Sequence, residues 1–180
     1  MTNVSSALCS NAIRCMELLH RIVIAWLLLC IAAAFMPTAA AGVQLKLPYT
    51  DVTIPINSAR WACGIVIFLS GIVGYTVLVQ LKHLCIKLAT TEHLEVALSY
   101  PSIATLGTPR LRSVCGYGLA FVQYSVGYGF WSPMPSYLGG SPNIGLAFLY
   151  SVPMFVFAWE LSDWQKGITS TSSNSRNSTR

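Results

Sequence analysis

"SVCGYGLAFVQYSVGYGFW", residues 113–131, decides how this chain is read. Gly-Tyr-Gly occurs in it twice, at 116–118 and 127–129, eleven residues apart. Three turns of α-helix take about 10.8 residues, so this repeat returns to nearly the same face. Tyr117, Phe121, Tyr124 and Tyr128 then form one aromatic ridge. Gly118, Val122, Ser125 and Gly129 flank it on one side, and Gly116, Ala120, Gln123 and Gly127 on the other. Each flank is a shallow groove in which a neighbouring backbone can come close, the way membrane helices pack. The stretch has no charged residue. Its length is close to the roughly 20 residues that cross a hydrocarbon core of about 30 Å.

Residues Ser125–Gly129 also resemble the selectivity filter of potassium channels, a Thr-Val-Gly-Tyr-Gly loop whose carbonyls replace the ion's water shell. The resemblance covers five positions, with Ser125 in place of threonine and Phe130 in place of the aspartate that usually follows. A filter loop enters and leaves from the outer face, which would place residues 82–112 outside. Lys and Arg would then be divided almost evenly between the two sides, against the strong bias described below. The crossing helix accounts for both the repeat and the charges.

Three more apolar runs share this character. They are Ile22–Ala41, Trp61–Leu81 and Asn143–Trp159, and none contains Asp, Glu, Lys, Arg or His. The whole chain is 54% hydrophobic and only 9% charged. A soluble domain carries about 25% charged residues, so the deficit points to lipid as the solvent. The sequence therefore predicts an all-α membrane protein, a compact bundle of four transmembrane helices with a short cytoplasmic amphipathic helix. The count falls to three if the first run is a cleaved signal peptide. "IVIAWLLLCIAAAFM" has the length of a signal core, and Ala39 and Ala41 fit the small positions before a cleavage at Gly42. The long leader ahead of it argues for an uncleaved span.

The formal net charge is +5. Arg14, Arg21, Lys82, Lys87, Arg110, Arg112, Lys166, Arg176 and Arg180 fall on one side of the expected spans, and only Lys46 and Arg60 on the other. The positive-inside rule makes both termini and the 82–112 loop cytoplasmic, in a cell or inner membrane. It also accounts for the basic residues without nucleic acid. Trp61 and Trp131 mark the outer boundary, and Trp159 and Trp164 the inner one, where indoles prefer to lie.

The segments divide as follows. Residues 1–41 hold the N-terminus and first span or signal, and 42–164 the bundle, with spans at about 61–81, 113–131 and 143–159. Residues 165–180 form a polar tail expected to be disordered. The outer segment 42–60 alternates Val43, Leu45 and Leu47 with polar residues, a pattern for a small hairpin or extended cap. In the 82–112 loop, Leu81, Leu84 and Leu88 extend the second helix. Thr91, Glu92 and Glu95 start a short helix with Leu94, Ala97 and Leu98 on its apolar face, limited by Pro101. That helix is expected on the inner leaflet or against a partner.

Candidate chemistry is sparse. Glu17-x-x-His20 supplies one half of a di-iron-type motif, but the second copy is missing because Glu92 and His93 are adjacent. No nucleophile elbow, phosphate loop or zinc-protease motif occurs. The six cysteines, Cys9, Cys15, Cys30, Cys63, Cys85 and Cys115, form no C-x-x-C pair. The sequence thus names no catalytic, metal or cofactor residue and no enzyme activity. It points to a structural or interaction subunit. Its partners are the bilayer and another membrane protein or a second copy, met through small-residue helix faces. Such faces are Cys63, Ile67, Ser70 and Gly74 on the second helix, and Ala147, Ser151, Met154 and Ala158 on the fourth. They are expected to surround a central third helix. The alternative is a channel or transporter with a path beside Gln123 and the Pro153 kink.

Overall fold

A computed structural model describes residues 2–35, 44–46, 52–88, 93–105, 107–131 and 144–177. The elements are α1 (Thr2–Phe35), β1 (Gln44–Lys46), β2 (Thr53–Pro55), α2 (Ile56–Leu88), α3 (His93–Leu98), α4 (Pro109–Trp131) and α5 (Ile144–Asn177). The expected cleavage site, the 132–143 turn, and Thr91 and Glu92 lie outside the described residues. Among the described residues three helices are long and apolar enough to cross a membrane, at Val4–Ala34, Ser58–Leu88 and Ile144–Trp164. The glycine- and tyrosine-rich α4 is not among them, although its 23 residues extend about 34 Å at 1.5 Å per residue.

Side-chain contacts give each helix its direction. Gly74 lies against Ile22, and the Cys63 thiol against the Leu29 carbonyl, so α2 runs antiparallel to α1. Gly71 abuts Pro153 and Gly74 abuts Phe157, so α5 runs parallel to α2. Gly116 meets Ala158 while Gly127 meets Ala147 and Tyr150, so α4 runs antiparallel to α5. Successive long helices therefore alternate in direction. α1 packs on α2, α2 on α5 and α5 on α4, and the contact of α4 with α1 is slighter. The expectation of a central third helix is thus corrected. α2 and α5 are the inner pair, and α4 sits beside α5 with its other flank open.

The reason is visible in the glycines. Gly116, Ala120, Gln123 and Gly127 are all buried, and they face α5. A methyl group at Gly127 would lie 2.7 Å from Tyr150 Cδ1, and one at Gly116 would lie 3.1 Å from Ala158 Cα. At Gly118 and Gly129 it would meet nothing within 4 Å. α5 fills one groove; among the described residues the other is open at Gly118 and Gly129, while its Val122 packs partly against the core. The facing residues Ala147, Ser151, Met154 and Ala158 of α5 are buried together, as are Cys63, Ile67 and Gly74 of α2.

The molecule wears its apolar side chains outward. Leu27, Leu28 and Ile31 on α1, Ile65, Val66 and Leu69 on α2, Phe121 on α4, and Phe148, Leu149 and Val152 on α5 are exposed. Such a surface suits lipid rather than water. Ser70, Thr76, Ser125, Ser151 and Ser162 turn their hydroxyls back to carbonyls of their own helices. That satisfies them without water.

Other expectations change at the ends. α1 begins at Thr2, because Cys9, Ala12, Met16 and Leu19 form a buried stripe at helical spacing that joins Leu81, Cys85 and Leu88 of α2 in the core. α3 turns its apolar face inward onto α1 and α2, with Ala97 fully buried, and leaves Glu95 and Val96 outside. Trp164 is buried rather than placed as an interfacial anchor, whereas Trp61 and Trp159 are exposed. The α5 backbone stays helical to Asn177, through residues expected to be disordered. Adding residues to an existing helix avoids the cost of nucleating one. The outer hairpin forms, with Leu45 paired to Ile54 in an antiparallel register.

The packing predicts opposite effects for glycines on the two flanks of α4. Gly127→Ala should lower stability by about 1–3 kcal/mol through overpacking against Tyr150. Gly118→Ala and Gly129→Ala should be neutral or stabilising by up to about 1 kcal/mol, since alanine favours helix. Unfolding of the purified protein in detergent checks both.

Candidate functional site

Gln123 is the only amide within the third apolar run, and the structure places it at the meeting point of the bundle. It is fully buried, midway along α4. Its Oε1 accepts a hydrogen bond from Trp26 Nε1 of α1 at 3.0 Å. Its Nε2 donates to the Tyr150 carbonyl of α5 at 2.8 Å. The Tyr150 hydroxyl in turn donates to the Gly64 carbonyl of α2 at 2.9 Å. Three side chains thus link all four long helices through neutral groups.

Local sequence explains why the network forms there. Pro153 has no backbone N–H and disturbs the helix wall one turn after Leu149 and Tyr150. Gln123 reaches α5 within that turn. Gly71 makes room for Pro153, since a methyl group there would lie 3.1 Å from Pro153 Cβ and 3.7 Å from Gln123 Oε1. Gly127 leaves room for the Tyr150 ring, which also lies 6.1 Å from that of Phe68. Gln123 and Pro153, which stand out together in the sequence, are therefore brought together. Trp26, Gly71 and Tyr150 join them without having stood out. Gly71, three residues before Gly74 on an otherwise bulky helix, carries the one local signal of the three.

A second polar contact lies at the other level of the bundle. Lys82 of α2 forms an ion pair with Glu160 of α5, both side chains mostly buried. The two residues end their respective apolar runs, so in the sequence each reads as a boundary marker. Parallel packing of α2 on α5 puts them side by side.

Of the residues considered for metal chemistry, Glu17 pairs with Arg21 on its own helix and His20 is exposed. Among the described residues no group of three or more His, Cys, Asp or Glu is placed to hold a metal ion. The Gln123 network offers hydrogen bonds already made between helices, and its groups are an amide, an indole, a phenol and two backbone carbonyls. No family model, curated protein or solved structure matches this chain.

Interhelical hydrogen bonds in membranes contribute about 0.6–2 kcal/mol each. Gln123→Leu and Trp26→Phe should each destabilise the protein by about that amount or more, since each leaves a buried partner unpaired. The double variant should be less destabilised than the sum of the two, with a coupling of about 0.5–2 kcal/mol. Unfolding measurements on the four proteins of the cycle test this. Additive losses would mean that the bond has no energetic role.

Proposed function

We propose that this protein is a small multi-pass integral membrane protein with a structural role, a subunit or scaffold of a membrane assembly. The closed Gln123 network carries the reading. Both ends of the amide are engaged and the group is fully buried, so the polar centre of the bundle holds its own helices together. What remains for others is the surface. It comprises the lipid-facing apolar residues, the open flank of α4 and the polar 82–112 segment.

In this reading four helices cross the membrane. The alternation of direction along α1, α2, α4 and α5 supports a crossing by α4, as does its exposed Tyr117, Phe121 and Tyr128. Arg14, Arg21, Lys82, Lys87, Arg110 and Arg112 all lie outside the uncharged runs, and the alternating helix directions gather them on one side of those runs. By the positive-inside rule that end and both termini are cytoplasmic. Trp26 and Leu29 contribute directly to contacts with α4 and α2, which favours retention of the first helix over its cleavage. The 82–112 segment would meet a partner through the outward Glu95, Val96 and Lys87, its apolar side being covered by the chain itself.

The competing reading places a transport path at the Pro153 bend, beside Gln123. Proteoliposomes distinguish the two. The scaffold reading expects no potassium flux above protein-free vesicles. Selective flux that Gly127→Ala abolishes would replace it with a channel. Topology is checked with a tag on each terminus in intact cells. Both tags should resist an impermeant reagent and react after permeabilisation. Reaction of either tag from outside would reject the four-span arrangement. A protein that co-purifies with the wild type should be lost when residues 82–112 are replaced.

A further inference from the structure

Arg112 is a buried cation in the described structure. It lies in the first turns of α4 and is only 1% exposed, whereas Arg110, two residues earlier, is exposed. Its Nη1 donates to the Gly107 carbonyl at 3.4 Å. Its Nε and Nη2 are buried and have no hydrogen-bond partner among the described residues. Those two nitrogens share one edge of the guanidinium, the edge that grips an oxyanion with two parallel hydrogen bonds.

No carboxylate among the described residues hydrogen-bonds Nε or Nη2. Glu17 is paired with Arg21 and Glu160 with Lys82, Asp163 on α5 is half-buried, and Glu95 is exposed on α3. Burial weakens the hold of Arg112 on its proton, but a guanidinium stays charged in proteins. The α4 dipole adds to the cost, because its positive end coincides with this cation. The first-turn amides do not offer an alternative role. Leu111 N–H is directed at Thr108 Oγ1 and Arg112 N–H at the Thr108 carbonyl. Among the described residues the buried side-chain donors without a partner are those of Arg112.

We propose that the Nε and Nη2 edge of Arg112 binds a phosphate oxyanion, supplied by a phospholipid headgroup or by inorganic phosphate. Position favours phosphate. Arg112 immediately precedes the uncharged 113–131 run, so in a crossing α4 it lies at the depth of the headgroups. Lys and Arg at that depth attract anionic lipid. The headgroup source rests on the membrane-spanning reading of α4, and the inorganic source does not. Because Nε and Nη2 are enclosed, the anion displaces neighbouring side chains when it binds.

The test uses the full-length protein in an uncharged detergent. Thermal unfolding is followed with added phosphatidylglycerol, and separately with sodium phosphate against sodium chloride at equal ionic strength. Wild type is compared with Arg112→Lys, which keeps the charge without the fork, and Arg112→Met, which keeps neither. The wild-type midpoint should rise with phosphatidylglycerol, and with phosphate too if the free anion suffices. The apparent affinity should fall about tenfold or more in Arg112→Lys, and the rise should vanish in Arg112→Met. No rise in the wild type with either probe, or the same rise in all three proteins, would overturn the proposal. Each protein is compared with itself, so a lower starting stability does not obscure the result, and Arg112→Lys suffices if Arg112→Met fails to fold. Recovery of the protein in the soluble fraction would instead count against the membrane reading.

Discussion

A buried amide has to satisfy a donor group and an acceptor at once, and that constraint organises this bundle. Gln123 meets it by bonding to Trp26 of α1 on one side and the Tyr150 carbonyl of α5 on the other. Neither bond forms unless the helices approach closely at one level. Gly127 and Gly116 permit that approach between α4 and α5, and Gly71 permits it between α2 and Pro153 of α5. In lipid, where apolar side chains gain little from leaving their solvent for each other, close packing and such bonds supply the association energy.

The same reasoning accounts for the surface. The outward side chains are largely apolar, and most hydroxyls within the helices bond back to their own backbone. Charged groups collect outside the uncharged runs. There they are exposed like Arg14 and Arg110, paired like Lys82 with Glu160, or enclosed like Arg112. The first two arrangements are ordinary at a bundle end. The third requires a counter-charge, because a cation removed from water without one is strongly disfavoured.

Part of the candidate site is legible in the sequence. Gln123 stands out as a lone amide among glycines, and Pro153 as a proline inside an apolar run. The helical period of residues 113–131 identifies the groove that becomes buried, but it marks an equally good groove on the other flank. Nothing in the 3.6-residue period distinguishes Gly116, Ala120 and Gly127 from Gly118, Val122 and Gly129. Trp26 and Tyr150 are illegible as network members, because each looks like any aromatic residue of an apolar helix. The stripe of Cys9, Ala12, Met16 and Leu19 is present in the sequence but obscured by the polar residues between its members.

By itself the sequence determined that the chain carries helices long and apolar enough to cross a membrane. Long stretches without charge can hardly be placed in water, and the two-residue alternation around Leu45 suits the hairpin that forms. The period of each helix is likewise a local property, so residue spacing alone assigns the sets that share a face. Which face meets which helix was decided only by tertiary packing. That choice depends on fit between distant segments, such as Gly127 with Tyr150 or Gly71 with Pro153. Lys82 and Glu160 are separated by 78 positions, and only the parallel packing of α2 and α5 makes them partners. Arg112 differs from Arg110 in the same way. Two arginines separated by one residue are equivalent in composition, and the fold alone encloses one and exposes the other.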